Sequence, residues 1–368
     1  MIQGKTGSMK IAFILGLAFS VLLASCDGNE KSEQTSIEEA DITTLNGEAQ
    51  GTTYSVSYWG TDKGYKSEID SILLEFDKDM STYREGSLIN QINEFSRTDT
   101  VFAFYDSTKF MSVVFEVARE VWRETEGAFD PTVFPLVQAY GFGLENRQEM
   151  TQEKVDSIME HTGFTPSEIE MIEVEKEHLY KVTWIRKGVP TTRIDFNAIA
   201  QGYSVDVVAD FLLMNGVDNY MVEIGGEVTC LGVKPDSSLW RIGIDKPLEK
   251  SQKRELEAIV ELENTSLATS GSYRKFYEKD GVKYSHTIDP KTGWPVQHSL
   301  ISATVMTPSC MKADAYATSF MVMGVEKTKE FLQMHPRLGL EVFLIYDENG
   351  EWETFATEGM KNVTEKVE

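Results

Sequence analysis

Arg193-Ile194-Asp195-Phe196-Asn197-Ala198-Ile199-Ala200-Gln201-Gly202-Tyr203-Ser204-Val205-Asp206, RIDFNAIAQGYSVD, changes its hydrophobic period partway along. It begins like a strand, breaks at Ala198, Ala200 and Gly202, and enters an apolar run from Val205 to Leu213 with helical spacing. Small residues at such a junction let a backbone carbonyl or amide approach a ligand closely. The spacing is not G-x-x-x-x-G-K-[ST], nor is it G-x-G-x-x-G, so neither a phosphate loop nor a Rossmann fingerprint is present here.

The same alternation of periods runs outward in both directions. Strand-forming composition marks Gly51 to Tyr58, Met221 to Ile224, Arg241 to Ile244, Ser302 to Met306 and Val342 to Tyr346. Ile69, Ile72, Leu73 and Phe76 fall on one helical face. Phe110, Val113, Val114, Val117 and Val121 repeat the pattern until Gly127 stops it. Further helices are expected at Met311 to Met323 and Lys327 to Met334. This mixture, with antiparallel hairpins and no internal linker, predicts an α+β or α/β protein, with α+β the expected class.

The ends and the composition narrow the function class. Lys5 and Lys10 precede the uncharged run Ile11 to Ser25, which ends at Cys26. Residues 1–25 read as a secretory signal, and the run is short for a membrane span. Leu23-Ala24-Ser25-Cys26 resembles a bacterial lipobox, which predicts acylation of Cys26 and a membrane anchor without a spanning helix. Residues 26–45 read as a lipidated cysteine with a disordered tether, and 46–368 as the folded domain. A formal charge of −24 argues against a nucleic-acid partner. Only Cys230 and Cys310 then remain, so a disulfide framework is not expected, while a single bridge stays open.

Four more segments could carry chemistry. GAFDPT, Gly127 to Thr132, is either a helix C-cap with an Asp-Pro turn or a loop placing backbone groups and Asp130 beside a ligand. EIGGE, Glu223 to Glu227, permits a tight turn or close packing against a planar ring. ATSGSY, Ala268 to Tyr273, offers hydroxyls and amides to phosphate oxygens and leads to SHTIDPKTGWP, Ser285 to Pro295, with His286. In DAYAT, Asp314 to Thr318, the aspartate and threonine share a helical face. A carboxylate, a hydroxyl and a backbone carbonyl are hard oxygen ligands suited to Mg²⁺.

In this order the segments resemble the ApbE family, the FAD:protein FMN transferases, from about Gly51 to Gly324. The resemblance implies a single large ApbE-like (T-fold-like) domain of mixed helices and antiparallel strands. It implies Mg²⁺-dependent transfer of FMN from FAD to a threonine of an acceptor flavoprotein, with release of AMP. It places FAD contacts at Tyr83, Ala128, Phe129, Asp130, Asp195, Gln201 and Ile288. Mg²⁺ falls to the Ala198 carbonyl, Asp314 and Thr318, with Ala317 adjoining, and His286 acts in the transfer step. It also suggests acceptors among membrane redox-pump subunits and a lipoprotein facing the periplasm.

Two residues depart from the family pattern. Gln201 stands where a lysine is common, which removes a cation from the FAD site, and Gln50 stands where many relatives carry methionine. Hydrolysis of FAD to FMN and AMP, or FAD binding without catalysis, are the competing readings of the same motifs.

Overall fold

The computed structural model describes residues 41–367 except 144, 145, 166, 177–179, 248–254, 273–275, 280, 281 and 286. Cys26, the signal segment, most of the tether and His286 therefore lie outside the described residues. The first strand, Thr43–Ala49, takes in the last three residues of the expected tether. No helix among the described residues is long and apolar enough to cross a membrane.

An eight-stranded antiparallel sheet organises the molecule. Its order is Thr43–Ala49, Thr52–Tyr58, Tyr220–Ile224, Glu227–Leu231, Ser266–Gly271, Leu300–Thr307, Glu341–Glu348 and Glu351–Ala356. Alternation along each strand assigns its two faces. Val342, Leu344, Ala303 and Val305 turn to one side, against Ala313, Ala317, Phe320 and Met321 of the helix Cys310–Met334. Phe343, Ile345, Leu267 and Val228 turn to the other, against a three-stranded sheet of Trp240–Asp245, Leu256–Leu262 and Thr364–Lys366. Cover on both faces explains why the central strands are almost continuously buried.

The helix Asn197–Met214 lies between Cys310–Met334, the sheet and the helix Lys66–Met80. It is apolar around most of its circumference, as a helix with neighbours on several sides must be. It starts eight residues before the expected Val205, because Ala198, Ala200 and Gly202 bury close contacts without a large apolar signal. The expected strand at Arg193 does not form. Instead the side-chain amide of Asn93 brackets Ile194, donating to its carbonyl at 2.9 Å and accepting from its N–H at 2.8 Å. The Asp195 N–H donates to the Pro131 carbonyl at 2.9 Å. An extended segment is thus satisfied without a strand partner.

Two other elements differ in detail from the pattern. In the helix Phe110–Glu124 the inward stripe is Met111, Val114, Phe115, Ala118 and Val121, while Val113 is 36% exposed. The helices expected at Met311 and Lys327 form one run broken at Gly324, whose backbone (φ 77°) is not helical. The ring of His298 fills the break, its Nε2 lying 2.9 Å from the freed Met321 carbonyl. Cys230 and Cys310 are both free thiols, which closes the question of a bridge.

Gly202 fixes the crossing of the two central helices. A Cβ there would lie 2.3 Å from the Cys310 carbonyl oxygen and 2.8 Å from Cβ of Asp314. Neither neighbour is a flexible tip, so the helices would have to separate. Gly202→Ala is expected to destabilise the fold by about 1–3 kcal/mol, read as a fall of several degrees in the thermal midpoint. An unchanged midpoint would show that the crossing tolerates the methyl.

Candidate active site

Between these helices and the end of the sheet lies a cavity of about 720 Å³, within the roughly 300–1,000 Å³ typical of small-molecule and cofactor sites. Tyr83, Ala128, Phe129, Asp130, Asp195, Ala198, Gln201, Ile288, Asp314 and Thr318 all line it. Residues far apart in the chain thus meet on one surface. Ala317 does not line it; its side chain is fully buried in the core cluster, where it supplies packing rather than a donor. Thr287, the residue after His286, is part of the wall.

One end of the cavity is built on Asp314. Its Oδ2 accepts from the Gly202 N–H at 3.0 Å. In helical register that N–H also points at the Ala198 carbonyl, so carboxylate and carbonyl converge on one amide. Thr318, one turn along from Asp314, lies with its hydroxyl 3.1 Å from that of Ser270. Burial pushes the Asp314 carboxyl up to about 7. Glu227 completes this end. Burial, and then the charge of Asp314, hold its carboxyl well above the usual range.

Gln201 bridges the same corner. Its Nε2 donates to Glu227 Oε2 at 2.5 Å and to the Ile224 carbonyl at 3.0 Å. The amide fits because residue 225 is glycine: a Cβ there would lie 1.7 Å from Gln201 Nε2. Gly225 and Gly226 form the tight turn between two strands of the sheet, with φ 66° and 114°. Of the readings of the EIGGE segment, the structure shows the tight turn, with the Gln201 amide packed against it.

Asp130 and Asp195 shape another wall. Asp130 accepts from Thr132 N–H at 2.8 Å, the Thr132 hydroxyl at 2.5 Å, Trp122 Nε1 at 3.2 Å and Phe164 N–H at 3.3 Å. It both N-caps the short helix Pro131–Val133 and lines the cavity. Asp195 accepts from the backbone and side-chain amides of Asn197 at 2.9 and 3.0 Å, and burial raises its carboxyl to about 6. Tyr83 stands at the rim, 58% exposed, within the field of Asp195. Ile288 is held by a turn in which Asp289 N–H donates to the Trp294 carbonyl and Gly293 N–H to the Asp289 carbonyl, at 2.9 and 2.8 Å. Tyr140 Oη ties that turn to the helix Phe134–Ala139 through the Gly293 carbonyl at 3.1 Å.

The charge of the lining is one-sided. Asp77, Asp130, Asp195, Glu227 and Asp314 contribute to it, while no Lys, Arg or His does among the described residues. No group of three or more His, Cys, Asp or Glu side chains converges on a metal position among the described residues. The oxygen-bearing groups that share this cavity include Asp314, Glu227, the Thr318 hydroxyl and the Ala198 carbonyl. Two carboxyls, raised by burial and, for Glu227, also by the charge of Asp314, are a donor set that a divalent cation would satisfy. Mg²⁺ accepts one or two carboxylates and takes the rest of its shell from water and phosphate.

Glu227 and Asp77 are lining residues that the sequence did not single out as ligand-side groups, and Gln50, marked only as a departure from the family's methionine, lines the cavity with them. The signal for Glu227 was a second acid flanking the glycine pair, masked by the stronger turn signature. Nothing local marks Asp77 out from the other acids of an amphipathic helix.

Comparison with known proteins follows the same surface. The ApbE family profile matches residues 50–344. The FAD:protein FMN transferase of Vibrio cholerae is 39% identical over 86% of this chain and 88% of its own. That of Escherichia coli K12 is 31% identical over 97% and 100%. Among solved structures, the flavin transferase ApbE from Vibrio cholerae superposes with a TM-score of 0.75 at 35% identity, covering 88% of this chain and 99% of its own. The flavinyl transferase ApbE of Pseudomonas stutzeri, in its apo form, gives 0.74 at 31%, covering 88% and 97%. The fold, the ordered motifs and the convergence of their residues on one cavity agree with these matches: the chain belongs to the ApbE family.

Proposed function

We propose that this chain transfers the FMN moiety of FAD to a threonine hydroxyl of an acceptor flavoprotein and releases AMP. The observation that carries the reading is the cavity's charge. It holds five acidic side chains and no cationic one among the described lining residues, yet the substrate brings an anionic pyrophosphate. Such a pair is compatible only with a cation between them. Asp314, Thr318, the Ala198 carbonyl and the facing Glu227 are the groups that would hold Mg²⁺. Bound there, Mg²⁺ supplies neutralisation of the pyrophosphate and of the departing AMP.

The chain's own residues provide the remainder. Ala128, Phe129 and Ile288 offer apolar surface for a flavin or adenine ring, and Tyr83 closes the rim. His286, next to the wall residue Thr287, takes the proton of the acceptor hydroxyl. The threonine oxygen bonds the FMN-side phosphorus, the phosphorus–oxygen bond to AMP breaks, and AMP leaves as the anion. Residues 1–25 act as a signal, and lipid on Cys26 anchors the domain outside the cytoplasm of a bacterium, facing acceptors in the same compartment.

Three outcomes test this. With FAD, Mg²⁺ and a threonine-bearing acceptor, mass spectrometry should show one FMN added to the acceptor; free FMN without acceptor would instead make the protein a hydrolase. His286→Ala should lower transfer by about 10²–10⁴-fold, the usual share of a general base, and near-normal turnover would remove His286 from that role. The third outcome concerns pH. Asp195 and Asp314 bind protons more tightly folded than unfolded, at about 6 and about 7 against an ordinary 3.8. Their contribution to the stability of the metal-free protein is therefore complete below about pH 4 and lost as pH rises through 6 to 7. A cation favours ionised Asp314, so the Mg²⁺-induced rise in thermal midpoint should be larger at pH 8 than at pH 6. In Asp314→Asn that rise should vanish; its persistence would place the cation elsewhere.

A further inference from the structure

We infer that Gln50 reads the bound dinucleotide: its side-chain amide, carried on a two-residue hairpin tip, donates a hydrogen bond to an acceptor atom of FAD. The inference rests on FAD as the ligand and adds a contact at the position where the family's methionine is absent.

The hairpin joins Thr43–Ala49 to Thr52–Tyr58, with Ala49 opposite Thr52, so Gln50 and Gly51 form the whole turn. Both have positive φ, 54° and 74°, as a type I′ turn requires. Glycine, asparagine and aspartate adopt the first of these positions readily; a longer side chain does so at a cost. Backbone strain of this kind persists where surrounding structure enforces it, and it concentrates at ligand-binding positions.

The surroundings of Gln50 hold it in place. The Ser204 hydroxyl, shared with the Gln201 carbonyl at 2.7 Å, reaches Gln50 Oε1 at 3.3 Å. The backbone N–H of Gln50 faces the Asp77 carboxylate and favours its charged form. One side of the amide is therefore anchored. The other is not: Nε2 is buried and has no hydrogen-bond partner among the described residues, and Gln50 lines the cavity. An unpaired buried donor is costly, and a ligand acceptor removes that cost. The anchor sits on the helix that carries Ala198 and Gln201, so the donor belongs to the same end of the cavity as Glu227 and Asp314.

The test measures FAD affinity from flavin fluorescence on mixing with Mg²⁺, without acceptor protein. Q50M keeps length and loses the donor, and Q50E keeps shape and replaces the donor by a carboxylate oxygen. Each should weaken FAD binding by about tenfold or more, the scale of one buried hydrogen bond. Q50G relieves the turn, so it should hold or raise the thermal midpoint while weakening FAD to the same extent as Q50M. FMN and AMP titrated separately assign the acceptor atom to the half whose affinity falls in Q50M. Binding of FAD by Q50M and Q50E within twofold of wild type would overturn the contact while leaving the FAD reading intact. Failure of the wild-type protein to bind FAD would overturn both.

Discussion

The hydrogen bond from the Gly202 amide to Asp314 joins the two helices on which the rest of the site depends. It can form only because residue 202 has no side chain, since any Cβ would meet the Cys310 carbonyl and Asp314 itself. The same helix sets the Thr318 hydroxyl beside that of Ser270. The crossing also buries Asp314, at the expense of its charged form. A single backbone contact therefore sets both the helix crossing and the electrostatic demand of the cavity.

That demand is for positive charge, and the protein meets it with nothing of its own among the described lining residues. Glu227 and Asp314 repel each other when ionised, and the nearest polar partner of Glu227 is the neutral amide of Gln201. A lysine at position 201 would place an ammonium beside Glu227 and relieve the repulsion permanently. Glutamine relieves it only by hydrogen bonding, which leaves the carboxyls without a counter-charge among the described lining residues. The expected loss of a cation at this position is thus not a defect in one contact. It leaves the charge of the whole acidic end unbalanced among the described residues.

Legibility followed the range of the interactions. The order of the motifs pointed to one site, and Tyr83, Ala128, Asp130, Asp195, Ala198, Gln201, Ile288, Asp314 and Thr318 meet in the cavity accordingly. Alternation within strands foretold the sheet, because side-chain period is a local property. The failures were non-local. Arg193 to Phe196 looks like a strand, but its hydrogen bonds go to Asn93 and to Pro131, neither of which the segment itself could indicate. Val113 falls on the apolar stripe by spacing, yet the neighbouring elements cover a face rotated toward Met111 and Phe115. Glu227 hid behind two glycines whose turn signature was the louder signal.

Turns in this site serve chemistry by taking backbone into conformations that side chains resist. Gly225 and Gly226 do so without strain and make room for the Gln201 amide. Gln50 does so with strain, at the tip of the adjacent hairpin, since Thr52–Tyr58 and Tyr220–Ile224 are paired strands. The two turns thus bring two carboxamides to the same acidic end of the cavity. One amide is consumed in holding Glu227, and the other retains a donor with no partner among the described residues. Neutral donors suit that place, because an amide can hydrogen-bond a buried carboxyl without burying a charge of its own.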